Sequence, residues 1–313
     1  MCLVFLSKIL GDATEQLSHY LGERVAGLVN VTLSNLAELI IIYVAVRENM
    51  IELVQAGIAG SIIGNLLLVM GASVWWGCHR HRILKYNFQM ASLQIKMLFI
   101  VCVTLMIPTL LNNYIPAASQ TTLSYPLAFM LVGSYLYYYW LSSRDPRFAE
   151  VKSQAEKLDR VWSKWLAAAV LVASAIGVFL MGEILVGEIR VVAPKLHLSE
   201  KFVGFILLPL LGNIAEHFVA VVAAGKGMAE LSLSIAVGSA SQVGMVVAPA
   251  AVLFGYLSGN PVTLHFAHLP LGALIVAFFS AYIVLRDDEW EKSEGVMLLA
   301  LYFALALGFY FTV

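Results

Sequence analysis

Long apolar runs separated by short polar breaks dominate the chain. After an apolar beginning at residues 1–10, these runs fall at 24–47, 50–77, 91–112, 124–142, 164–187, 202–225, 229–257, 263–285 and 295–313. A helix needs about 20 apolar residues to cross a bilayer. The pattern therefore predicts about ten transmembrane helices. We expect the first to lack its beginning, and residues 11–22 to form an interfacial turn or a short helix.

Composition agrees with this pattern. The chain has 313 residues, of which 60% are hydrophobic and 12% charged, whereas soluble domains carry about 25% charged residues. The sequence therefore predicts an all-α polytopic membrane protein. The net charge of −1 gives no reason to expect nucleic-acid binding. Cys2, Cys78 and Cys102 lack metal-ligand spacing, and we interpret them as packing residues.

Basic residues predict the orientation, because lysine and arginine concentrate in cytoplasmic loops. They cluster at 78–90 and in the long polar stretch 143–163, whereas the loop at 112–124 has no charged residue. We therefore expect both basic segments in the cytoplasm and, with ten helices, both termini outside.

A repeat of the polar motif inside the membrane divides the chain. One ungapped alignment of the chain with itself places Asn35 on Asn213 and Glu38 on Glu216, and it also aligns two Gly-Ser pairs, at 60–61 and 238–239. Halves of five helices each must be inverted relative to one another, which is typical of secondary transporters. The sequence predicts two inverted five-helix repeats, 1–142 and 164–313, joined by a cytoplasmic linker at 143–163.

The paired motifs indicate a cation site. In Asn-x-x-Glu the two side chains share one face of a helix, and inversion would bring Glu38 and Glu216 together near the membrane centre. Such oxygen-rich surroundings suit Ca²⁺. Without a cation, two carboxylates in a low-dielectric site cannot both stay ionised, so they hold protons instead. Alternate occupancy by Ca²⁺ or protons is exchange, and two glutamates predict two protons per Ca²⁺.

Neutral oxygen atoms would complete this site. Besides Asn35 and Asn213, the predicted second helix of each repeat contributes hydroxyl and amide groups, and its glycines permit local unwinding that exposes carbonyl oxygens. The candidates there are Ser61, Asn65, Ser239 and Gln242.

Four further residues are candidates for gating or proton relay. His217 follows Glu216 directly, and a neutral histidine bonded to a carbonyl is an equally good interpretation of it. Glu183 lies deep in the predicted sixth helix. Asp12 and Glu15 precede the second helix, where ordinary interfacial acids are the alternative.

The motif Gly212-Asn213-Ile214-Ala215-Glu216-His217, with its partner at 238–242, resembles those of the Ca²⁺/H⁺ antiporters of the cation/proton exchanger family, within the cation/Ca²⁺ exchanger superfamily. The resemblance covers nearly the whole chain. It implies ten core helices, Glu38 and Glu216 binding Ca²⁺ and protons alternately, and Ca²⁺ as the transported substrate with no cofactor. The first repeat departs from the family pattern at Ser34, Leu36 and Gly64, which affects the expected coordination.

Several alternatives stay open at this stage. The transporter could use Na⁺ or carry another divalent ion such as Mn²⁺, and a passive channel is a further option. An intramembrane hydrolase using His217 is a distant alternative. Ca²⁺, protons and the lipid bilayer are the expected partners, and a homo-oligomer is left open. Short loops favour a prokaryotic plasma membrane over a vacuolar one.

Overall fold

The structure, a computed structural model, describes residues 2–18, 20, 35–144 and 162–312. Helices make up most of it. In chain order these are α1 (Cys2–Ser18), α2 (Leu36–Arg47), α3 (Ile51–His81), α4 (Phe88–Leu111), α5 (Ala117–Arg144), α6 (Lys164–Lys195), α7 (Glu200–Phe202, Val203–Leu207 and Leu208–Gly225), α8 (Ala229–Ser258), α9 (His268–Val284) and α10 (Lys292–Tyr310).

Several of these helices are long and apolar enough to cross a membrane. Within the described residues, length and composition identify five such helices, α3, α4, α6, α8 and α10. A sixth span results if the two parts of α7, which bend by 69° between Glu200–Ile214 and Glu216–Gly225, are taken together. Large apolar side chains such as Phe129, Trp165 and Phe303 lie exposed on the outer surface, which suits contact with lipid.

The helix α3 lies at the centre of the molecule and is almost entirely buried. It crosses α7 where both helices carry glycine: a Cβ on Gly60 would overlap the carbonyl oxygen of Phe205, and one on Gly204 would lie 2.8 Å from Leu53 O. Glycine is required at these positions because backbone meets backbone there. This close crossing brings the two candidate motifs near each other.

Backbone features recur at positions that the alignment of the two sequence motifs places on each other. The helices α3 and α8 each contain a π-helical segment, Gly64–Val69 and Val243–Val247. The first begins three residues after Ser61, and the second begins directly after Gln242. The turns that follow α2 and α7 each contain a residue with positive φ, Asn49 at 55° and Gly227 at 81°. A π-helical turn inserts an extra residue and is frequent at functional sites.

A short antiparallel ribbon joins two connections that the sequence did not predict to pair. Strand β1 (Ile83–Lys85) follows α3, and strand β2 (Glu289–Glu291) precedes α10. Leu84 lies opposite Trp290, whose side chain is fully buried, and the thiol of Cys78 donates to the Trp290 carbonyl at 3.2 Å.

Most predicted helix boundaries agree with the structure within a few residues, and four helices differ. The helix α5 begins at Ala117, seven residues before the predicted start at 124. The helix α1 continues through Gly11 to Ser18, so residues 11–18 extend the first helix rather than forming a separate interfacial turn or short helix. The helix predicted at 263–285 begins only at His268, because the preceding segment is irregular and buries Val262, Leu264 and Phe266. The helix α6 extends to Lys195 rather than 187. Residues 24–34 and most of the predicted linker, 145–161, lie outside the described residues.

Candidate functional site

The first-half glutamate is buried and hydrogen-bonded. Glu38 lies in the first turn of α2, and its side chain is 6% exposed. Its Oε1 accepts hydrogen bonds from the Ser61 hydroxyl and from Asn213 Nδ2, the latter at 2.7 Å. Its Oε2 has no hydrogen-bond partner among the described residues. One oxygen is therefore held in place while the other is available to a ligand.

The second-half glutamate has an equivalent arrangement. Ser239 Oγ donates to Glu216 Oε2 at 3.2 Å, and the sequence separation between donor and acceptor is 23 residues, as it is between Ser61 and Glu38. The helix that carries Glu216 also approaches Glu38 directly, because a Cβ on Gly212, one helical turn before Glu216, would lie 3.5 Å from Glu38 Cγ. Each carboxylate therefore has a serine donor on the next helix.

Asparagines connect the two halves. Asn213 on α7 donates to Glu38 on α2 and, at 3.3 Å, to Ser61 Oγ on α3. In the other direction, Asn35 Nδ2, at the start of α2, donates to Gln242 Oε1 on α8 at 2.7 Å. Direct side-chain contacts therefore join segments that lie far apart in the sequence.

Asn65, the remaining residue of the predicted neutral shell, has its hydrogen-bond partner within its own helix. Asn65 Nδ2 donates to the Ser61 carbonyl at 3.0 Å, within its own helix. Among the described residues, no hydrogen bond joins it to either glutamate. It holds the π-helical segment of α3 beside the Ser61 hydroxyl.

His217 is 9% exposed, and neither of its ring nitrogens has a hydrogen-bond partner among the described residues. The interpretation as a histidine satisfied by a carbonyl therefore has no support in this part of the chain. A buried, unpaired imidazole beside Glu216 keeps its donor and acceptor available.

The other candidate acids lie away from this cluster. Glu183 on α6 pairs with Arg47 at the end of α2, with Oε1 2.7 Å from Nη2, and both side chains are more than a third exposed. Asp12 and Glu15 lie on the exposed face of α1, which packs against α6 and α7. The structure therefore separates these three acids from the two central glutamates.

The prediction did not include one buried polar residue near the motif. Gln94 on α4 is 4% exposed, its Oε1 has no partner among the described residues, and its Nε2 lies 3.8 Å from where a Cβ on Gly238 would be. Its signal in the sequence is a single amide within the apolar run at 91–112.

The donor set indicates which ions fit. Within the described residues, no group of three or more His, Cys, Asp or Glu side chains is placed to hold a metal. The cluster instead offers two carboxylates with amide and hydroxyl oxygens, which are hard ligands of the kind that Ca²⁺ takes.

Comparisons with known proteins identify the family of the chain. The family model described as "Sodium/calcium exchanger protein" matches residues 1–144 and 166–311. A Ca²⁺/H⁺ antiporter of Synechocystis sp. is 35% identical, with 99% of this chain and 89% of that relative covered. The antiporter ChaA of Bacillus subtilis is 33% identical, with 98% and 89% covered.

Solved structures show the same fold. The structure of native YfkE superposes with a TM-score of 0.85 at 31% identity, covering 98% of this chain and 89% of that one. A H⁺/Ca²⁺ exchanger named CAX matches with a TM-score of 0.77 at 12% identity, covering 99% and 83%. These relatives are transporters rather than enzymes, so the hydrolase alternative has no support. The chain is a member of the sodium/calcium exchanger protein family.

Proposed function

We propose that the chain is a secondary active transporter that exchanges cytosolic Ca²⁺ for protons at Glu38 and Glu216. The observation that carries this proposal is the contact between halves: Asn213 of one motif donates to Glu38 of the other at 2.7 Å. Relatives that share about a third of the sequence are named Ca²⁺/H⁺ antiporters, which supports the choice of ions.

Exchange follows from the charge of the site. When no cation is bound, the two neighbouring carboxylates repel each other, and taking up protons relieves that repulsion. A divalent cation reverses the preference and displaces the protons. The free Glu38 Oε2 gives Ca²⁺ a first ligand, and the neutral shell of Asn35, Asn213, Ser61, Ser239 and Gln242 gives the others. Asn65 supports this shell indirectly, through its hydrogen bond to the Ser61 carbonyl. Ca²⁺ is here the transported substrate, and the mechanism needs no cofactor.

The proposed architecture is two inverted five-helix halves, 1–142 and 164–313, with about ten transmembrane helices and a linker at 143–163. The π-helical segments and the positive-φ turns, which recur at equivalent places in the two halves, support this division. Alternating access would expose the central site to one side at a time. Glu183 and its partner Arg47, Asp12, Glu15 and His217 are the proposed gating and relay residues.

We place the protein in the membrane with both termini outside and the segments 78–90 and 143–163 in the cytoplasm. Relatives named as bacterial antiporters and as vacuolar transporters both align with the chain. Its short loops favour a prokaryotic plasma membrane. Ca²⁺, protons and lipid are the proposed partners, and a homo-oligomer is compatible with them.

Uptake of Ca²⁺ into proteoliposomes under an imposed pH gradient tests this function. We expect uptake to follow the pH gradient in the wild type and to be lost in Glu38→Gln and in Glu216→Gln, because an amide carries no charge to attract Ca²⁺ and releases no proton. The variant Glu52→Gln, an exposed acid at the start of α3, is the control and should transport normally.

Other outcomes would contradict the proposal. Uptake that follows a Na⁺ gradient and ignores pH would indicate a Na⁺-coupled exchanger. Transport of Mn²⁺ with no transport of Ca²⁺ would change the substrate. Normal exchange by both glutamine variants would remove the glutamates from the mechanism.

A further inference from the structure

The helices that carry the two glutamates end in equivalent turns. The helix α2 ends at Arg47, and α7 ends at Gly225, the position that the repeat aligns with Arg47. In each turn the chain passes through a residue with positive φ, Asn49 or Gly227. Such a turn lets its own N–H groups satisfy carbonyls that a helix leaves unpaired at its end.

The N–H groups of each turn reach three of these carbonyls. After α2, they donate to the carbonyls of Val44, Ala45 and Val46 at 2.9–3.0 Å; after α7, they donate to those of Val222, Ala223 and Ala224 at 2.9–3.1 Å. The last carbonyl of each helix, Arg47 O or Gly225 O, needs a donor from elsewhere.

That donor comes from the opposite half in both cases. Asn260, which follows α8, donates through Nδ2 to Arg47 O at 3.2 Å and to Val46 O at 3.0 Å. His81, the last residue of α3, lies with Nε2 3.1 Å from Gly225 O. A carbonyl oxygen only accepts, so His81 must be the donor in this contact.

The turn after α7 is mechanically connected to the candidate site. It joins α7, which carries Glu216, to α8, which carries Ser239, and these two side chains are hydrogen-bonded. A donor that fixes the end of α7 therefore also fixes the angle between the two helices that hold this carboxylate.

The two donors differ in one respect: an asparagine amide does not titrate, whereas an imidazole does so near neutral pH. We propose that His81 is a proton-sensitive positioning residue, which fixes the turn between α7 and α8 more firmly when its ring is protonated. Asn260 is the counterpart that does not respond to pH. A role of His81 in regulating Ca²⁺/H⁺ exchange rests on the proposed function. On the predicted orientation, His81 senses cytoplasmic pH.

Protonation strengthens this contact for two reasons. The positive ring makes the hydrogen bond to Gly225 O charge-assisted, and it lies at the negative end of the α7 dipole. Other charged or titratable side chains belong to the C-terminal turn of α3, the ribbon, the turn between α7 and α8, and the starts of α8 and α10. They are His79, Arg80, Arg82, Lys85, Lys226, Glu230, Glu289, Glu291, Lys292 and Glu294. Of these groups His79 is the only other imidazole, so a control variant replaces it.

Hydrogen exchange of the purified full-length protein, read by mass spectrometry, tests the proposal without relying on transport. The amides of Lys226, Gly227 and Met228 report the turn after α7. The amides of Glu48, Asn49 and Met50 report the turn after α2. They are an internal control, because the side chain that donates to the end of α2 is Asn260, which does not titrate. We expect protection at 226–228, corrected for intrinsic rates, to be about two- to fivefold higher at pH 5.5 than at pH 8, and protection at 48–50 to be constant.

Three variants distinguish the effect of the hydrogen-bond donor of His81 from the effect of its positive charge. His81→Gln keeps an N–H donor without titration, so protection at 226–228 should persist and become independent of pH. His81→Leu removes the donor and should lower protection there at both pH values. His79→Gln is the matched control: His79 stacks on Trp75 and Trp76, and its replacement should leave the pH dependence at 226–228 unchanged.

Either of two results would overturn the proposal: equal protection at both pH values in the wild type, or pH dependence in His81→Gln as large as in the wild type. If the wild type does not transport Ca²⁺ against protons, the proposed function is wrong. The amide hydrogen-exchange measurement still decides the role of His81 in that case. If it does transport, His81→Gln should flatten the dependence of turnover on the pH of the His81 side.

Discussion

At the scale of single residues, the buried Glu38 depends on its amide neighbour. Its Oε1 accepts from Asn213 and Ser61, which orients the carboxylate, and its Oε2 has no hydrogen-bond partner among the described residues. A buried carboxylate is costly unless donors surround it. Asn213 therefore both lowers this cost and fixes the geometry of the proposed site.

The variant Asn213→Ala should impair Ca²⁺ binding more than loss of an asparagine elsewhere in the cluster. We expect the Ca²⁺ concentration for half-maximal uptake to rise about 10- to 100-fold, as for other groups that orient a metal ligand. Uptake into proteoliposomes at a fixed pH gradient measures this change.

Asn65→Ala is the matched control. Its Nδ2 bonds only a carbonyl of its own helix among the described residues, and one neutral hydrogen bond contributes about 1 kcal/mol. We expect half-maximal uptake within about fivefold of the wild type. Equal losses in the two variants would show that Asn213 has no special role.

At the same scale, the sequence indicated which residues belong to the cluster better than it indicated their hydrogen-bond and ion-pair partners. The duplicated Asn-x-x-Glu motif identified Glu38, Glu216 and both asparagines, because a polar group repeated in an apolar segment has few structural explanations. It could not show that Asn35 bonds Gln242 or that Glu183 pairs with Arg47. Both contacts depend on how helices distant in sequence are placed.

At the scale of elements, close approach of α3 and α7 holds the two motifs together. Gly60→Ala should destabilise the protein by about 1–3 kcal/mol, because the added methyl group would overlap the backbone of Phe205 and force the helices apart. The thermal midpoint in detergent, measured by loss of helical signal, should fall accordingly.

Gly64→Ala provides the comparison within the same helix. A Cβ at Gly64 meets no heavy atom within 4 Å beyond its own helix, so we expect a midpoint close to that of the wild type. A similar fall in both variants would mean that the loss comes from helix backbone effects rather than from the crossing.

The ribbon between β1 and β2 makes a second prediction at this scale. Ile83 and Glu291 are directly paired, and paired residues lie within the roughly 4.4–6.8 Å between Cα atoms that a disulfide spans. In a variant whose native Cys2, Cys78 and Cys102 are replaced by alanine, Ile83→Cys with Glu291→Cys should crosslink on mild oxidation.

The control shifts one strand by two residues. Ile83→Cys with Glu289→Cys places the sulfurs about 7 Å further apart along the strand and should remain reduced under the same conditions. Crosslinking of both pairs to the same extent would contradict the register. Gel mobility after protease cleavage between the two strands distinguishes the outcomes.

At the scale of the whole molecule, the distribution of basic residues predicts which face is cytoplasmic. In the cysteine-free background, Asn113→Cys in the charge-free loop should react with a membrane-impermeant maleimide on intact cells. Lys85→Cys should react only after permeabilisation. Both positions are exposed, so access to reagent rather than burial decides the result. The reverse pattern would invert the proposed orientation.

The sequence by itself determined the membrane class, most helix positions and the duplicated motif, because these depend on local hydrophobicity and on repeated residue types. Only the tertiary structure decided where the hydrogen bonds go. Asn213 reaches Glu38, His81 reaches Gly225 O and Asn260 reaches Arg47 O across 144 to 213 residues of chain. Such contacts depend on the close crossing of helices far apart in sequence, which no local pattern specifies.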